Sequence, residues 1–187
     1  IMTAIGALTL VKAEALLYFA DLAGAMSIEA VAGSALPFDP DIQAIRPHEG
    51  QKEVAARMRK LLTNSQIMKS HANCEKVQDP YSFRCIPQVH GAAVDTVRQV
   101  RKTVEIELNS VTDNPLVFSN DGKRGKMVTG GNFHGEYVGM AMDQLCVAVA
   151  ELGSISEQRL AKLVNSSFSE LPPFLMKDGG LNSGYMI

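Results

Sequence analysis

The chain carries few cysteines and no excess of charge of either sign. Three cysteines occur among its 187 residues, the widely spaced Cys74, Cys85 and Cys146. An odd number of scattered cysteines does not form a disulfide framework, so we expect reduced thiols in the cytoplasm. The 18 basic and 20 acidic residues give a net charge of −2. Such a balance excludes the strongly basic surface that favours nucleic acid or an anionic membrane as partner.

The patterns of a metal site and of a targeting segment are also missing. His71 and Cys74 have the spacing of half a zinc site, but no second close pair of histidine or cysteine follows, so we predict no metal. The apolar opening of residues 1–11 lacks a basic leader and is followed by charged Lys12 and Glu14. It is shorter than the run of about 20 apolar residues that spans a bilayer, so we predict a buried helix and no membrane partner.

Long apolar helical segments dominate the chain, of which 46% is hydrophobic. Residues 1–25 are apolar almost all round, as in a helix surrounded by others, and a second short helix is predicted from Ser27. Apolar residues in the segment 87–111 recur at steps of three and four, which indicates one long helix. Both chain ends fall inside apolar patterns without capping signals, which favours a piece of a longer polypeptide. We predict a mainly α fold, a bundle of long helices from residues 1–25, 48–62, 87–111 and 137–164.

A single small β-hairpin is predicted near residues 116–129. Pro115 ends the preceding helix because proline disfavours helix at the residue before it and cannot donate a backbone hydrogen bond. Two short apolar runs then flank a polar segment that contains glycine, which is the pattern of an exposed hairpin. Gly130 and Gly131 follow and permit positive φ, so the next three residues can be presented inward before the following helix.

Three side chains that can bind or move charge surround Pro80, in a polar segment between two long helices. Gln78, Tyr81 and Arg84 are three residues apart, and a tight turn begun at Pro80 would place them on one face. Arg84 can hold a carboxylate through two charge-assisted hydrogen bonds, Tyr81 can transfer a proton, and Gln78 can donate and accept hydrogen bonds. Spacing alone also allows a helix start that Asp79 caps, with Arg84 in a solvated ion pair.

The same segment carries a family resemblance. Its sequence, Val77-Gln-Asp-Pro-Tyr-Ser-Phe-Arg-Cys85 and then Pro87-Gln-Val-His-Gly91, resembles the aromatic amino acid lyase family, and within it the branch that acts on histidine. Further matching segments follow in the order found in that family, at residues 107–118, 130–136, 155–159, 171–174 and 180–187. The resemblance implies the long-helix bundle of that family, with residues 1–187 as the central helical part of a larger subunit.

The resemblance also implies a reaction. Members of this family eliminate ammonia from an amino acid, and the histidine branch converts L-histidine to trans-urocanate. The β hydrogen is barely acidic and the amine leaves poorly, so the family uses a strong electrophile, a methylidene-imidazolone (MIO) ring formed from an internal Ala-Ser-Gly tripeptide. This sequence contains no Ala-Ser-Gly, since Ala32-Gly33-Ser34 has a different order. The resemblance therefore implies an MIO supplied by another segment and a chain that is inactive alone.

Five residues receive roles from the resemblance. Arg84 resembles the arginine that clamps the substrate carboxylate, and Tyr81 resembles the tyrosine that transfers a proton or holds the amino group, so both are predicted to be catalytic. Gln78 and Asn114 resemble substrate-binding residues, and Phe133 resembles the aromatic residue that packs beside the cofactor ring. Two simpler interpretations stay open, Asn114 as a helix-ending turn residue and Phe133 as a core aromatic.

Both the predicted substrate and the predicted class of protein have an alternative interpretation. His134 and Met186 resemble the histidine branch, although His134 also fits a local hydrogen-bonded histidine, and most of the side-chain pocket lies outside this sequence. A tyrosine or phenylalanine ammonia-lyase, or an aminomutase, is the alternative within the family. A non-catalytic helical assembly module is the alternative from another class. The family is tetrameric with shared active sites, so the resemblance implies a homo-oligomer in which the site residues of one chain can lie apart.

Overall fold

The computed structural model describes residues 1–73, 76–120 and 123–186, so Cys74 and Ile187, which the sequence analysis involves, lie outside the described residues. Long helices, short helical turns and one hairpin make up the described part, which confirms the predicted mainly α fold. The helices are α1 (Met2–Ala30), α2 (Pro40–Ala44), α3 (Glu49–Leu62), α4 (Gln66–Ser70), α5 (Tyr81–Arg84), α6 (Ile86–Leu108), α7 (Glu136–Leu163) and α8 (Ser166–Ser169). The strands are β1 (Leu116–Asn120) and β2 (Lys123–Val128).

Helix α1 is longer than the sequence pattern predicts. It runs unbroken through Ser27, so the predicted break after residue 25 is wrong. The Ser27 hydroxyl donates to the carbonyl oxygen of Ala23 at 2.6 Å, so its hydrogen bond is made inside the helix and does not interrupt it. The helix ends at Ala30, and Ala32, with a φ of 47°, turns the backbone away.

Helix α6 is the centre of the bundle and contacts α1, α3 and α7. Its predicted apolar stripe is buried at Ala93, Val97, Val100 and Val104. Full burial of one such valine stabilises the fold by about 1.5–3 kcal/mol relative to an exposed one. The predicted stripe continues to Val111, but the helix ends at Leu108, and both residues are exposed, at 69% and 54%. The buried stripe therefore ends at Val104, about two turns before its predicted end.

The three longest helices lie side by side, with α6 antiparallel to α1 and α7. Gly6 near the start of α1 faces Met142 of α7, and Gly24 near its end faces Arg159 of the same helix. The loop between α6 and α7 reverses the chain direction through the hairpin. One end of the bundle therefore collects the end of α1, the start of α6 and the end of α7. The other end collects the start of α1, the end of α6 and the start of α7.

Helix α3 crosses α6 with the two backbones in direct contact. A Cβ atom at Gly50 would lie 2.1 Å from the carbonyl oxygen of Gly91, and one at Gly91 would lie 2.4 Å from the backbone nitrogen of Gln51. The backbone N–H of Gly50 donates to the Asp95 carboxylate at 3.0 Å, which satisfies one of the free donors at the start of α3. Glycine is required at both crossing positions because no side chain fits between the helices.

The hairpin predicted near residues 116–129 is confirmed. Strands β1 and β2 pair antiparallel, with Leu116 opposite Val128 and Phe118 opposite Lys126. The residues at the tip, 121 and 122, lie outside the described ranges. The hairpin extends from the end of the bundle at which α6 stops and α7 begins.

Helices α1 and α7 carry apolar side chains on their outer faces as well as in the core. By length and composition alone both helices are candidate membrane spans, a test that core helices of soluble proteins also pass. Contiguous apolar surface of this kind marks a site of association. The outward residues include Ile5, Leu8, Val11, Tyr18 and Phe19 on α1 and Tyr137, Met140 and Val147 on α7.

We predict that Gly91→Ala destabilises the fold by about 3 kcal/mol, because the added methyl group forces two helix backbones apart. Gly153→Ala is the matched control, since a Cβ at Gly153 of α7 meets nothing within 4 Å. The control is expected to gain about 0.5–1 kcal/mol, because alanine has less backbone freedom to lose in a helix. Urea unfolding midpoints measure both shifts, and an unchanged midpoint for Gly91→Ala would contradict the close contact.

Candidate functional site

The single helical turn α5 carries Tyr81 and Arg84, two of the predicted site residues. The turn predicted at Pro80 is present. The carbonyl oxygen of Pro80 accepts hydrogen bonds from the backbone N–H groups of Phe83 and Arg84, at 3.0 and 3.3 Å. Phe83 is 2% exposed and belongs to the hydrophobic core. An apolar anchor thus holds the turn on the bundle.

Gln78, Tyr81 and Arg84 line one cleft of about 520 Å³. The three side chains are therefore brought together, as their spacing predicts. The cleft lies at the end of the bundle where α6 begins and α7 ends, and Lys162 and Phe168 form its other wall. Arg84 and Lys162 make this cleft suited to an anionic ligand.

The other wall of the cleft has its own ordered contacts. The Lys162 ammonium lies 4.0 Å from the centre of the Phe168 ring, in a cation–π contact. Lys76 and Glu170 form an ion pair, with 3.0 Å between the ammonium nitrogen and a carboxylate oxygen. This pair links the segment before α5 to the segment after α8, and both of its residues line the cleft. The cleft thus has two walls that a side-chain contact holds together.

The guanidinium of Arg84 is partly engaged and half-buried. Its Nε–H donates to the carbonyl oxygen of Asp79 at 2.8 Å, which orients the side chain. The two terminal nitrogens donate no hydrogen bond to any residue of the described ranges, so they can bind a carboxylate through two parallel hydrogen bonds. The Asp79 carboxylate accepts from the backbone N–H of Ser34 at 2.7 Å instead of capping α5. The alternative of an Asp79 cap with an Arg84 ion pair is therefore wrong.

The phenol of Tyr81 is accessible and lies beside a thiol. Tyr81 is 66% exposed and faces the cleft. Burial raises the pKa of the Cys85 thiol, while the neighbouring Arg84 charge and a hydrogen bond with Tyr81 act in the opposite direction. Cys85 and Cys146 are free thiols. A second cleft, of about 840 Å³, continues on the other side of Gln78 and Arg84, so Arg84 stands between the two.

Asn114 and Phe133 lie together at the opposite end of the bundle. The Asn114 side-chain oxygen accepts a hydrogen bond from the backbone N–H of Gly130 at 2.7 Å. The Asn132 side chain donates to the carbonyl oxygen of Val111 at 3.3 Å, so two hydrogen bonds join the loops before and after the hairpin. Phe133 is 62% exposed, so the alternative of a core aromatic does not describe it in this chain. The Asn114 amide nitrogen makes no hydrogen bond within the described ranges, so its two N–H donors are available.

The two groups of predicted site residues are far apart within the chain. Tyr81 and Arg84 precede α6, and Asn114 and Phe133 follow it. Helix α6 has 23 residues, so at a rise of about 1.5 Å per residue it separates the two groups by about 34 Å. A single chain therefore presents two partial sites at opposite ends of its bundle.

His71 and His134, the histidines considered in the sequence analysis, do not join either group through a hydrogen bond to a site residue. The His134 ring is exposed, and its Nδ1 lies 4.0 Å from the Glu136 carboxylate, which is beyond hydrogen-bond distance, so the hydrogen bond of the simpler interpretation is not formed with this neighbour. His71 lines the larger cleft. Within the described ranges, no three histidine, cysteine, aspartate or glutamate side chains form a metal-binding group.

A buried polar network behind α5 was not recognised in the sequence. Asp21, His90 and Arg159 come from α1, α6 and α7 and are 0%, 0% and 2% exposed. His90 Nδ1 lies 2.6 Å from one oxygen of Asp21, and Arg57 of α3 binds the other. Both terminal nitrogens of Arg159 lie 3.3 Å from His90 Nε2. The available signal is an acidic residue inside the otherwise uncharged run of residues 15–28, because a buried charge needs a partner.

The surroundings of His90 keep its imidazole neutral. Burial lowers the pKa of His90, and the charge of Arg159 lowers it further, although the hydrogen bond with Asp21 acts against both. Burial lowers the pKa of Arg159 to about 10, so this guanidinium is still charged at neutral pH. Asp21 therefore accepts the Nδ1–H of His90, and the Nε2 lone pair faces the Arg159 donors.

Comparison with known proteins places the chain in a family. The aromatic amino acid lyase profile matches residues 1–187, the whole chain. The chain therefore belongs to the aromatic amino acid lyase family, which confirms the resemblance of the sequence motifs.

Histidine ammonia-lyases are among its similar relatives. The chain is 52% identical over 186 residues to the histidine ammonia-lyase of Myxococcus xanthus, a match that covers 100% of this chain and 36% of that protein. It superposes on the histidine ammonia-lyase of Trypanosoma cruzi with a TM-score of 0.87 at 47% identity, covering 100% of this chain and 34% of that one. It also superposes on the tyrosine aminomutase of Streptomyces globisporus, with a TM-score of 0.86 at 37% identity, over 99% and 38% of the two chains. The chain thus spans about a third of the length of these relatives, and its predicted bundle is confirmed.

The buried His90 predicts a specific pH dependence of stability. Because its pKa is lowered in the folded state, the unfolded state binds more protons below about pH 6.5, and stability falls as the pH drops through that value. The slope from this group reaches about 1.4 kcal/mol per pH unit. Urea unfolding at about pH 7.5 and about pH 5.5 measures it. His90→Gln is expected to lose this part of the slope, whereas His134→Gln, at an exposed histidine, keeps it; equal slopes in all three proteins would contradict the neutral buried imidazole.

Proposed function

We propose that residues 1–187 are the central helical part of an ammonia-lyase subunit that converts L-histidine to trans-urocanate and ammonia. Two observations support this proposal. The relatives of about 50% identity over the whole chain are histidine ammonia-lyases. The cleft beside α5 presents an arginine with free terminal donors and an accessible phenol side by side. The second observation carries the proposal, because it supplies a binding group and a proton-transfer group in one place.

Arg84 is proposed to bind the substrate carboxylate. Its Nε–H already bonds to the Asp79 carbonyl, so the guanidinium is held in one plane and its two terminal nitrogens are left for a bidentate contact. Each charge-assisted hydrogen bond of this kind is worth about 1.5–3 kcal/mol. Because every α-amino acid carries the carboxylate, this contact orients the substrate without selecting its side chain.

Tyr81 is proposed to exchange a proton with the substrate or to hold its amino group, and Gln78 to bind the substrate beside it. Both side chains line the cleft with Arg84, and the Tyr81 hydroxyl is open to a ligand. A tyrosine hydroxyl in its neutral form donates a proton, and it accepts one only as the phenolate.

Phe133 and Asn114 are proposed to serve the cofactor and the substrate carboxylate. The electrophile of this family, the MIO ring, removes electron density from the substrate and so makes elimination feasible. The loop around Phe133 fits such a planar group, because the phenyl ring is exposed and a Cβ at Gly131 would meet nothing within 4 Å. Phe133 would pack against the ring face, while the free amide N–H of Asn114 donates to the substrate. The Ala-Ser-Gly tripeptide is absent from this sequence, so another segment is proposed to supply the ring.

We also propose a homotetramer in the cytoplasm with active sites shared between subunits. The separation of about 34 Å along α6 supports this, since one chain cannot bring Arg84 and Phe133 to a single amino acid. The outward apolar residues of α1 and α7 support association of helices from different subunits. An isolated chain then holds only half of each site, and we expect it to be inactive.

A related reaction is the second candidate. The similarity to a tyrosine aminomutase of the same fold favours an enzyme that moves the amino group instead of releasing it. The residues of the cleft beside α5 recognise the parts that all amino acids share, so they do not separate the two. A non-catalytic assembly module accounts for the apolar outer faces but gives no reason for Arg84, Tyr81 and Gln78 to share one cleft.

A chimaeric enzyme tests the proposal. We predict that this chain, inserted in place of the matching 186 residues of the Myxococcus xanthus histidine ammonia-lyase, yields a protein that forms trans-urocanate from L-histidine. Tyrosine and phenylalanine in the same assay, with products identified by chromatography, detect lyase and aminomutase alternatives. The isolated chain is the control and is expected to give no product. A folded chimaera that acts on tyrosine or phenylalanine but not on histidine would overturn the substrate, and one without any activity would overturn the reaction.

Two substitutions in the chimaera separate the proposed roles. Tyr81→Phe is expected to lower kcat by a factor of about 10² or more, because it removes the proton-transfer group and keeps the ring. Arg84→Lys is expected to raise KM by a factor of about 10, because the charge stays but the planar two-point contact is lost. Arg98→Lys on the exterior of α6 is the matched control for an arginine change. Steady-state kinetics at saturating and limiting histidine give both constants; a normal kcat for Tyr81→Phe would remove this residue from the chemistry.

A further inference from the structure

Asp21, His90 and Arg159 have no part in the proposed reaction, yet they are among the most buried polar residues of the chain. They come from three different helices and meet directly behind the turn that carries Tyr81 and Arg84. Burying such groups is costly unless each is paired and hydrogen-bonded. Two of them also lie in motifs that the sequence analysis singled out, His90 in residues 87–91 and Arg159 in residues 155–159.

The hydrogen bonds of this network have one consistent direction. One oxygen of the Asp21 carboxylate is bound by Arg57, which leaves the other for the Nδ1–H of His90 at 2.6 Å. The imidazole tautomer is thereby set, and its Nε2 lone pair accepts from Arg159, at 3.3 Å from both terminal nitrogens. Three partners from α1, α3 and α6 therefore determine where the Arg159 guanidinium sits.

Arg159 also reaches the α5 turn itself. One terminal nitrogen donates to the carbonyl oxygen of Ser82 at 3.4 Å, and the other donates to the Ser156 hydroxyl at 3.0 Å. In this helix of one turn the Tyr81 carbonyl accepts from the backbone N–H of Cys85, whereas the Ser82 carbonyl accepts from Arg159. A turn this short is not stable in isolation. The Ser82 hydroxyl is buried and makes no hydrogen bond in the described part of the chain, so the turn is held through its backbone carbonyl.

Phe83 alone does not fix the direction of the turn. Its ring anchors α5 by apolar burial, which has no preferred direction. A planar guanidinium with a fixed set of N–H vectors is directional, and it binds the residue between Tyr81 and Phe83. Because Tyr81 and Arg84 lie on either side of this contact, a rotation of α5 would move the phenol and the guanidinium together.

We infer that Arg159, held in place by His90 and Asp21, is a positioning residue that fixes the α5 turn and so aims Tyr81 and Arg84 into their cleft. The consequence for substrate binding rests on the proposed function, whereas the consequence for the turn does not. Arg159 itself does not line that cleft, so it acts through the backbone of Ser82.

Amide hydrogen exchange in the chimaeric enzyme tests the effect on the turn. Arg159→Met and His90→Leu are expected to accelerate exchange in residues 81–86 by at least about tenfold, because the turn opens locally without its backbone contact. His90→Gln is the conservative variant, since an amide can donate to Asp21 and accept from Arg159, and it is expected to restore the protection. Val104→Ala, a core truncation far along α6, controls for general loss of stability and is expected to leave these residues within about twofold of the unmodified enzyme.

Inhibitor binding by the same proteins tests whether Arg159 affects the orientation of Arg84 in the cleft. Two inhibition constants are measured, one for a histidine analogue that keeps the carboxylate and one for histamine, which lacks it. The constant for histamine divided by that for the analogue reports how strongly Arg84 binds the carboxylate. We expect Arg159→Met to lower this ratio about tenfold, and Arg159→Met combined with Arg84→Met to lower it no further than Arg84→Met alone. Val104→Ala is expected to keep the ratio, because a loss of stability changes the folded fraction and leaves the site of the folded protein intact.

The outcomes separate this inference from the proposed function. Unchanged exchange in residues 81–86 for both Arg159→Met and His90→Leu would overturn the positioning role, whatever the substrate is. Faster exchange with an unchanged inhibition ratio would also overturn it, since the turn would then not aim Arg84. If Arg159→Met does not fold, Arg159→Lys takes its place with the same expectations, because lysine keeps the charge without the planar fork. A chimaera without histidine activity would remove the proposed function and leave the exchange result to decide the role of Arg159.

Discussion

The Asp21 carboxylate is the constraint on which much of the bundle depends. It is fully buried, unlike the other charged residues of α1, and leaving such a charge unpaired costs several kcal/mol. Its two oxygens therefore require donors from outside α1, which Arg57 of α3 and His90 of α6 provide. Arg159 of α7 completes the set through His90. The four longest helices, α1, α3, α6 and α7, therefore have to bring these side chains to one point along the bundle so that the carboxylate has all its hydrogen-bond partners.

Arg159 also binds the carbonyl oxygen of Ser82, and this contact gives the four-residue helix α5 a directional hydrogen bond to the interior. Tyr81 and Arg84 of the same turn line the cleft. The opposite end of the bundle is organised differently. There Asn114 and Gly130 tie the loops around the hairpin together, and the Phe133 ring stands exposed beside them. Each end is well ordered on its own, and the length of α6 keeps them apart.

The sequence predicts the local features of this structure better than the long-range ones. The spacing of valines along α6 and the proline at position 115 correctly predict a long helix followed by a hairpin. Gln78, Tyr81 and Arg84 likewise line one cleft, Tyr81 and Arg84 from the single turn α5 and Gln78 from the segment before it. Ser27 leads to a wrong prediction of a helix break, because its hydroxyl donates a hydrogen bond to a carbonyl oxygen within α1 and the helix continues.

Features that join distant parts of the chain have no such local signature. The pairing of Asp21 with His90 spans 69 positions, and only the packing of α1 on α6 reveals it. The contact between Gly50 and Gly91 is similar, since either glycine alone is typical of many helices. The resemblance assigns Asn114 and Phe133 to the site of Arg84 and allows these residues to lie apart within one chain, and the helix between them holds the two groups at opposite ends.

The ion pair between Lys76 and Glu170 differs in kind from the charges in the interior. It is exposed to solvent, so dissolved ions screen it, whereas the network around Asp21 is shielded by the helices that surround it. The two walls of the cleft are therefore joined by a contact that weakens as electrolyte is added, while the floor behind α5 does not respond. Ionic strength is thus a means of loosening the entrance of the cleft without disturbing the turn within it.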